Sequence, residues 1–354
     1  MELHDIRAEI DRIDRKIVEL INERYKFVKK VGNYKNDKGA PIYVPEREKA
    51  LLSKLCEINP GPMQSETLRA VYREIMSGAL QLEKPLKVTF LGPAGSFTHQ
   101  AAISRFGQSV ELTEASSIAG VFKDIETGRA DYGCVPVENS TEGAVNYTLD
   151  TLMMTNVNIC SELNLRIHHN LMSREPFENI ERVYSHSQVF GQCREYIQEH
   201  LAHLELIETV STARAAKNAT LEPGAAALAG KAAADLFGLH ILAENIEDFS
   251  SNTTRFLILG KQQTEPTGDD KTSVCFAIKD KIGALYDCIK PFKDAKLTMT
   301  MIESRPTKNA NWEYCFFIDL LGHRNDPEVL KAFENIEQQC SFFKVLGSYP
   351  RNTG

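Results

Sequence analysis

Apolar residues fall at Leu3, Ile6, Ile10, Ile13, Ile17, Leu20, Phe27 and Val31, mostly at intervals of three and four. A spacing sustained that long admits one local structure, a helix whose apolar seam packs against other helices. The seam has one interruption, Arg24. A cation there costs several kcal/mol unless something anionic meets it, and taken alone it reads as a buried salt bridge fixing register. Lys35 changes that reading, because eleven residues is about three turns and puts it within roughly 20° of Arg24 on the same face. Arg7 lies about 25 Å the other way and is rotated by roughly 100°. One helix cannot bring Arg7 and Arg24 to a single small ligand, but an antiparallel second copy can. The spacing therefore predicts a symmetric dimer, or a higher homo-oligomer built from one.

After a turn at Asp37 to Pro45, a second helix is expected near Glu46, with Arg47 and Glu48 in its first turn. A break at Asn59 to Pro62 leads to a third helix, Ser65 to Leu82. From Pro85 the texture changes to short strands followed by helices. Lys87–Leu91 precedes the glycine turn GPAGSF, Ser109–Thr113 precedes Ile118–Ile125, and Tyr132–Val137 precedes Ala144–Met153. The last of these units, ADYGCVPVENSTEGAVNYTL, empties a buried strand into five polar residues at a helix mouth, where ligands gather in α/β proteins. A second set runs from Cys160 through Leu163–Met172, Arg182–Ser185, Gln188–Leu201 and Ala225–Ala227. The chain then returns to a strand at Leu257–Leu259. Two α/β lobes with a cleft between them are implied. His168 and His169 are expected on opposite faces of one strand, and His99 and His186 are expected to be structural.

Gln262 to Lys271 reads as a polar linker. Beyond it come strand Ser273–Lys279, helix Gly283–Phe292, strands Lys296–Glu303 and Trp312–Leu321, helix Pro327–Cys340 and strand Phe342–Gly347. That order is βαββαβ, a ferredoxin-like α+β module. The chain is thus expected to be multidomain: all-α over residues 1–84, two α/β lobes over 85–262, and the α+β module over 271–354.

The totals exclude several partners. A net charge of −7 over 354 residues includes no basic run, which argues against nucleic acid. No apolar run approaches a membrane span. The N-terminus is charged from its second residue, and the eight cysteines have no metal-ligand spacing, so a cytoplasmic protein with reduced thiols and no metal is expected.

Three sets of motifs carry resemblances. The pattern IRxEIDxID…LxxxRxxxxxxVGxxK…PEREK…REIMS resembles the all-helical class of chorismate mutase. The resemblance implies a domain-exchanged dimer in which Arg24 and the other copy's Arg7 hold the carboxylates of chorismate. Lys35 would donate to the ether oxygen, Arg47 would support the anion and Glu48 would take the substrate hydroxyl. A second ether-oxygen donor falls on Glu83, with Gln81 the alternative; helical phase favours Glu83, which shares a face with Tyr72, Met76 and Ala79. Val44 departs from members that carry an acid there.

The series GPAGSF, GCVPVENSTEGAV, LRIHHNLM, YSHSQVFGQC and NTTRFLIL resembles prephenate dehydratase, with two lobes like those of a periplasmic binding protein. It implies Thr254 as the catalytic threonine, with Asn139, Ser185, Gln192 and Arg255 contacting prephenate, and no cofactor. IGALY and IESRP resemble the loops of the phenylalanine-sensing ACT domain of such enzymes. They imply an effector site at Gly283, Ala284, Leu285, Glu303, Ser304, Arg305 and Pro306, unless the module only dimerises. The expected protein is a bifunctional chorismate mutase–prephenate dehydratase under phenylalanine feedback. An arogenate dehydratase and a non-catalytic amino-acid sensor are the rival readings.

Overall fold

The computed structural model describes residues 2–278, 282–306 and 314–352. The chain divides into two compact units, Met1–Lys87 with Arg105–Glu111, and Val88–Ser104 with Leu112–Gly354.

The first unit is built on α1 (Leu3–Lys38), α2 (Pro45–Glu57) and α3 (Ser65–Glu83). Glu2 and Asp5 cap the start of α1 reciprocally, and Gly39 ends it at φ 64°. α1 meets α3 through its second half. At Gly32 the approach is so close that a Cβ would lie 2.8 Å from the Glu83 Cα, and the Tyr25 hydroxyl donates to the Ile75 carbonyl at 3.0 Å. Leu3, Ile6, Ile10, Ile13, Ile17 and Leu20 remain exposed. Phe27 and Val31 are exposed as well, so the seam expected to pack against helices is bare in the single chain.

The second unit contains three sheets. In the first, β1 (Lys87–Leu91), β2 (Glu111–Ala115), β3 (Tyr132–Asn139), β5 (Asn158–Arg166) and β11 (Thr253–Gly260) lie in the order β2-β1-β3-β11-β5, and β4 (Gly143–Ala144) folds back on β3. Helices α4 (Phe97–Phe106), α5 (Ile118–Glu126) and α6 (Asn146–Met154) accompany it. α5 buries Ile118, Val121, Phe122 and Ile125, one apolar stripe, at about 1.5–3 kcal/mol per side chain.

The second sheet is formed by β6 (Asn170–Ser173), β7 (Arg182–Ser185), β8 (Glu205–Glu208), β9 (Ala225–Ala229) and β10 (His240–Ala243), ordered β10-β6-β9-β7-β8. With it go α7 (Ser187–Gln192), α8 (Arg194–Tyr196), α9 (Thr212–Ala219) and α10 (Lys231–Phe237). Strand β9, AAALA, is wholly buried, and α9 sets Ala213, Ala215, Ala216 and Ala219 against the core. Small side chains on both elements let helix and sheet approach closely.

The expected continuous strand Leu163–Met172 is broken. Residues 167–169 cross between the sheets and bond to the returning segment, Ile167 N to Asn252 O and Ile246 N to His169 O, both at 2.9 Å. His168 and His169 therefore do not alternate on a strand.

The third sheet takes β12 (Asp270–Ile278), β13 (Met299–Pro306), β14 (Tyr314–Leu321) and β15 (Phe342–Pro350) in the order β13-β14-β12-β15, all antiparallel. With α11 (Ala284–Asp294) and α12 (Pro327–Glu337) the chain order is βαββαβ. The strand ends expected at Lys279 and Trp312 lie outside the described residues. The expected linker is held in place: Thr264 and Asp270 are buried, and His323 Nε2 meets the Thr264 carbonyl at 3.1 Å. Val135, Ile159 and Leu257 of the first sheet share one core with Cys275, Phe317, Leu346 and Tyr349 of the third. All eight cysteines are free thiols. No described helix is long and apolar enough to cross a membrane.

Candidate active sites

The three helices of the first unit line an open cavity of about 280 Å³ bordered by Arg24, Lys35, Arg47, Glu48 and Glu83, among apolar walls that include Phe27, Val31 and Leu51. Lys35 Nζ donates to Glu83 Oε2 at 3.0 Å and to the Ile42 carbonyl at 2.7 Å. Arg24 Nη1 is buried with no hydrogen-bond partner among the described residues. Buried polar atoms are nearly always paired, so an orphaned guanidinium nitrogen facing a cavity asks for an anion. Arg7, just over one turn into α1, is exposed and does not line the cavity. Gln81 is exposed, whereas Glu83 lines the wall.

A second cluster forms where β3 and β11 run side by side with Asn139 opposite Thr254. Asn139 Nδ2 donates to Thr254 Oγ1 at 2.8 Å and to Asn252 Oδ1 at 2.9 Å. Its Oδ1 accepts from Thr141 N, Thr141 Oγ1 and Glu142 N at 3.0, 2.6 and 3.1 Å. One asparagine thus ties the polar turn together and fixes the threonine. Because Thr254 Oγ1 accepts from Asn139, its own O–H remains available to donate. Asn252 was legible in NTTRF but was not singled out from sequence.

The second sheet holds the other group. Ser185, at the end of β7, donates to the Leu228 carbonyl at 2.8 Å, and Gln192 Oε1 sits 2.9 Å from His169 Nε2. That bond places the proton on Nε2 and leaves Nδ1, which has no partner among the described residues, bare. Burial, above all, keeps the His169 pKa below its ordinary value despite the opposing pull of Gln192 and Glu247. Phe97 of the GPAGSF turn meets the His169 ring edge-on, with centroids 5.5 Å apart.

The prephenate dehydratase family profile matches residues 88–264, and the chorismate mutase type II profile matches residues 6–84. A bifunctional chorismate mutase/prephenate dehydratase of Aquifex aeolicus is 45% identical over 99% of this chain and 98% of its own length. This chain belongs to the bifunctional chorismate mutase/prephenate dehydratase family. The prephenate dehydratase of Arthrobacter aurescens, solved in complex with L-Phe, covers 75% of the chain at 32% identity and a TM-score of 0.69. A structure described as a novel type of quorum-quenching acylase covers the same share at 26% identity and a TM-score of 0.70.

The family assignment makes the chain an enzyme on two counts rather than a non-catalytic sensor. Within this bifunctional enzyme Arg255 departs from expectation. Its side chain leaves β11 on the face opposite Thr254 and meets Glu162 Oε2 at 2.8 Å, Asp319 Oδ2 at 2.6 Å and the Tyr349 hydroxyl at 3.0 Å. Lys271 adds a second cation at 2.9 Å from Glu162. Burial opposes the charge on Arg255, but Tyr349, Asp319 and Glu162 outweigh it and hold its pKa above the ordinary arginine value. The strand's period of two turns consecutive side chains to opposite faces, so the expected substrate contact is a structural ion network.

The residues expected around an effector also differ from expectation. Glu303, Ser304, Arg305 and Pro306 belong to the edge strand β13 and not to a loop. Arg305 reaches Asp150 of α6 at 3.3 Å. Gly283 caps α11 at φ 81°, which glycine adopts readily, with Ala284 buried and Leu285 half-buried behind it. His99 and His186 serve local structure: their Nδ1 atoms accept from Gly95 N at 3.1 Å and Gln188 N at 3.3 Å.

Proposed function

We propose that the helical cavity rearranges chorismate to prephenate, and that the Thr254 cluster removes carbon dioxide and water from prephenate to give phenylpyruvate. Modules over residues 1–84, 85–262 and 271–354 divide the work.

The rearrangement is pericyclic and needs no nucleophile. Catalysis there means holding a compact conformer and stabilising charge that grows on the ether oxygen. Arg24 and the second copy's Arg7 take the carboxylates, Arg47 supports the anion, Lys35 and Glu83 face the ether oxygen, and Glu48 accepts the hydroxyl. A second copy, laid antiparallel on the bare seam of α1, supplies Arg7 and covers the exposed apolar face.

The observation that carries the dehydratase reading is the bond from Asn139 to Thr254. It orients the threonine with its proton outward, towards the hydroxyl that must leave as water. Decarboxylation supplies the electrons that aromatise the ring, so the step needs one proton donor and oriented polar groups from Asn139, Ser185 and Gln192. Phenylalanine acts as a feedback effector at an ACT module, its α-carboxylate meeting the N-terminus of α11 at Gly283. The L-Phe complex of the Arthrobacter aurescens enzyme supports this reading.

The test is a direct assay with chorismate, prephenate and arogenate as separate substrates. Formation of phenylpyruvate from both chorismate and prephenate is expected. Turnover of arogenate in preference to prephenate would move the assignment to the rival substrate. Phenylalanine should raise the midpoint of thermal unfolding and inhibit the dehydratase, and Ser304→Trp should remove inhibition while sparing catalysis. Full inhibition of that variant would place the effector elsewhere.

A further inference from the structure

The segment Arg105–Glu111 belongs to the first compact unit although it lies beyond residue 84, where the match to the mutase profile ends. Its backbone is tied down there. Ser109 N donates to Ser77 Oγ at 3.0 Å, Gln108 N to Glu74 Oε2 at 3.3 Å and Glu111 N to the Leu86 carbonyl at 3.0 Å. Gly107 has φ 74°, and a Cβ there would lie 2.5 Å from the Ser77 Cβ, so only glycine fits.

This docking delivers Arg105 behind the mutase cavity. Its Nη1 lies 3.3 Å from Glu48 Oε1, and its Nε donates to the hydroxyl of Tyr43, whose ring stacks at a tilt on Phe106 with centroids 5.0 Å apart. Tyr43 and Glu48 both line the cavity, and Arg105 does not. It therefore acts on the site through them. Burial opposes the charge on Arg105, but Glu48 and Tyr43 outweigh it and hold its pKa above the ordinary arginine value.

We propose that Arg105 is a positioning residue of the mutase site, holding the Glu48 carboxylate in the orientation that accepts the substrate hydroxyl. The proposal rests on the assignment of this cavity to chorismate. Chorismate carries two carboxylates, and their approach repels Glu48 and favours its protonated form, which would no longer be a pure acceptor. A fixed guanidinium on the far side of Glu48 opposes that repulsion without competing for the substrate. The titratable and charged groups sharing the cavity with Glu48 are Arg24 and Lys35 of α1, Arg47 of its own helix, Tyr43, and Glu83 of α3. Lys35 is held by Glu83 and the Ile42 carbonyl.

The experiment uses the full chain with Arg105→Met, Arg105→Lys, Glu48→Gln and the Arg105→Met/Glu48→Gln double variant, each checked for folding by urea denaturation. Mutase kcat and KM are measured across the acid side of neutrality. Arg105→Met is expected to lower kcat/KM by roughly tenfold or more, as for loss of a charged hydrogen-bond partner. The loss should deepen as pH falls, and Arg105→Lys should recover most of it. On the Glu48→Gln background, which has no charge to hold, Arg105→Met should change kcat/KM by less than about twofold. An unaltered pH profile in Arg105→Met, or an equal loss on both backgrounds, overturns the proposal. Undiminished mutase activity in a further Arg24→Ala variant overturns the cavity assignment itself, and is distinguished by needing no change at Arg105.

Discussion

Thr254 and Arg255 are neighbours in β11 and serve opposite faces of the sheet. The threonine hydroxyl bonds to Asn139, while the guanidinium enters a buried network with Glu162, Asp319 and Tyr349 that joins the first sheet to the third. One motif therefore contributes one group to the Asn139 cluster and one to cohesion between sheets.

Exchanging the two residues separately should part those roles. We predict that Thr254→Ala abolishes dehydratase turnover with little change in unfolding midpoint and no change in mutase activity. Arg255→Met should instead destabilise the chain by about 3–5 kcal/mol, because Glu162 and Asp319 are left buried with less compensation. An Arg255→Met protein of normal stability but raised KM for prephenate would return Arg255 to the substrate.

In the proposed mutase site Lys35→Ala removes a cation aimed at charge developing on the ether oxygen, and such donors are worth roughly 3–4 kcal/mol. Mutase turnover should fall by at least about two orders of magnitude, with dehydratase turnover intact. A loss of only a few-fold would make Lys35 part of the cavity's solvated lining.

Glu83 and Gln81 make opposite predictions for the second ether-oxygen donor. Glu83 lines the cavity in contact with Lys35, and Gln81 is exposed. Glu83→Ala should therefore impair the mutase, and Glu83→Gln, whose amide N–H can donate where an ionised carboxylate only accepts, should retain much of its activity. Gln81→Ala should be silent. Severe loss in Gln81→Ala with a silent Glu83→Ala would reverse the register.

His169 is buried, and that burial depresses its pKa from the ordinary value of 6.5. The unfolded chain therefore takes up this proton first as pH falls. Stability should decline from about pH 6.5 downward, until the folded-state pKa is reached. His169→Gln should lessen the loss in urea stability between about pH 7.5 and 5.5. It should not abolish that loss, because burial depresses His99 as well. An identical loss in wild type and variant would show that His169 does not titrate differently on folding.

The chain alone determined the local structures and their order. The spacing of Leu3 through Val31 demanded a long helix, and α1 runs from Leu3 to Lys38. The polar run after Tyr132–Val137 marked the turn where Asn139 reaches Thr254. Helix period, strand alternation and turn chemistry depend on residues a few positions apart, so they can be read in one dimension. Tertiary structure decided where the long cations went. Arg255 was drawn from the expected substrate face to Glu162 and Asp319, 93 residues before it and 64 after it. Arg305 met Asp150, and Arg105 reached Glu48 through a segment outside the helical mutase stretch. Each guanidinium needs an anion that satisfies its charge when water is removed. Which anion arrives beside it depends on distant strands and helices packing onto the same face, and no local pattern in the sequence records that.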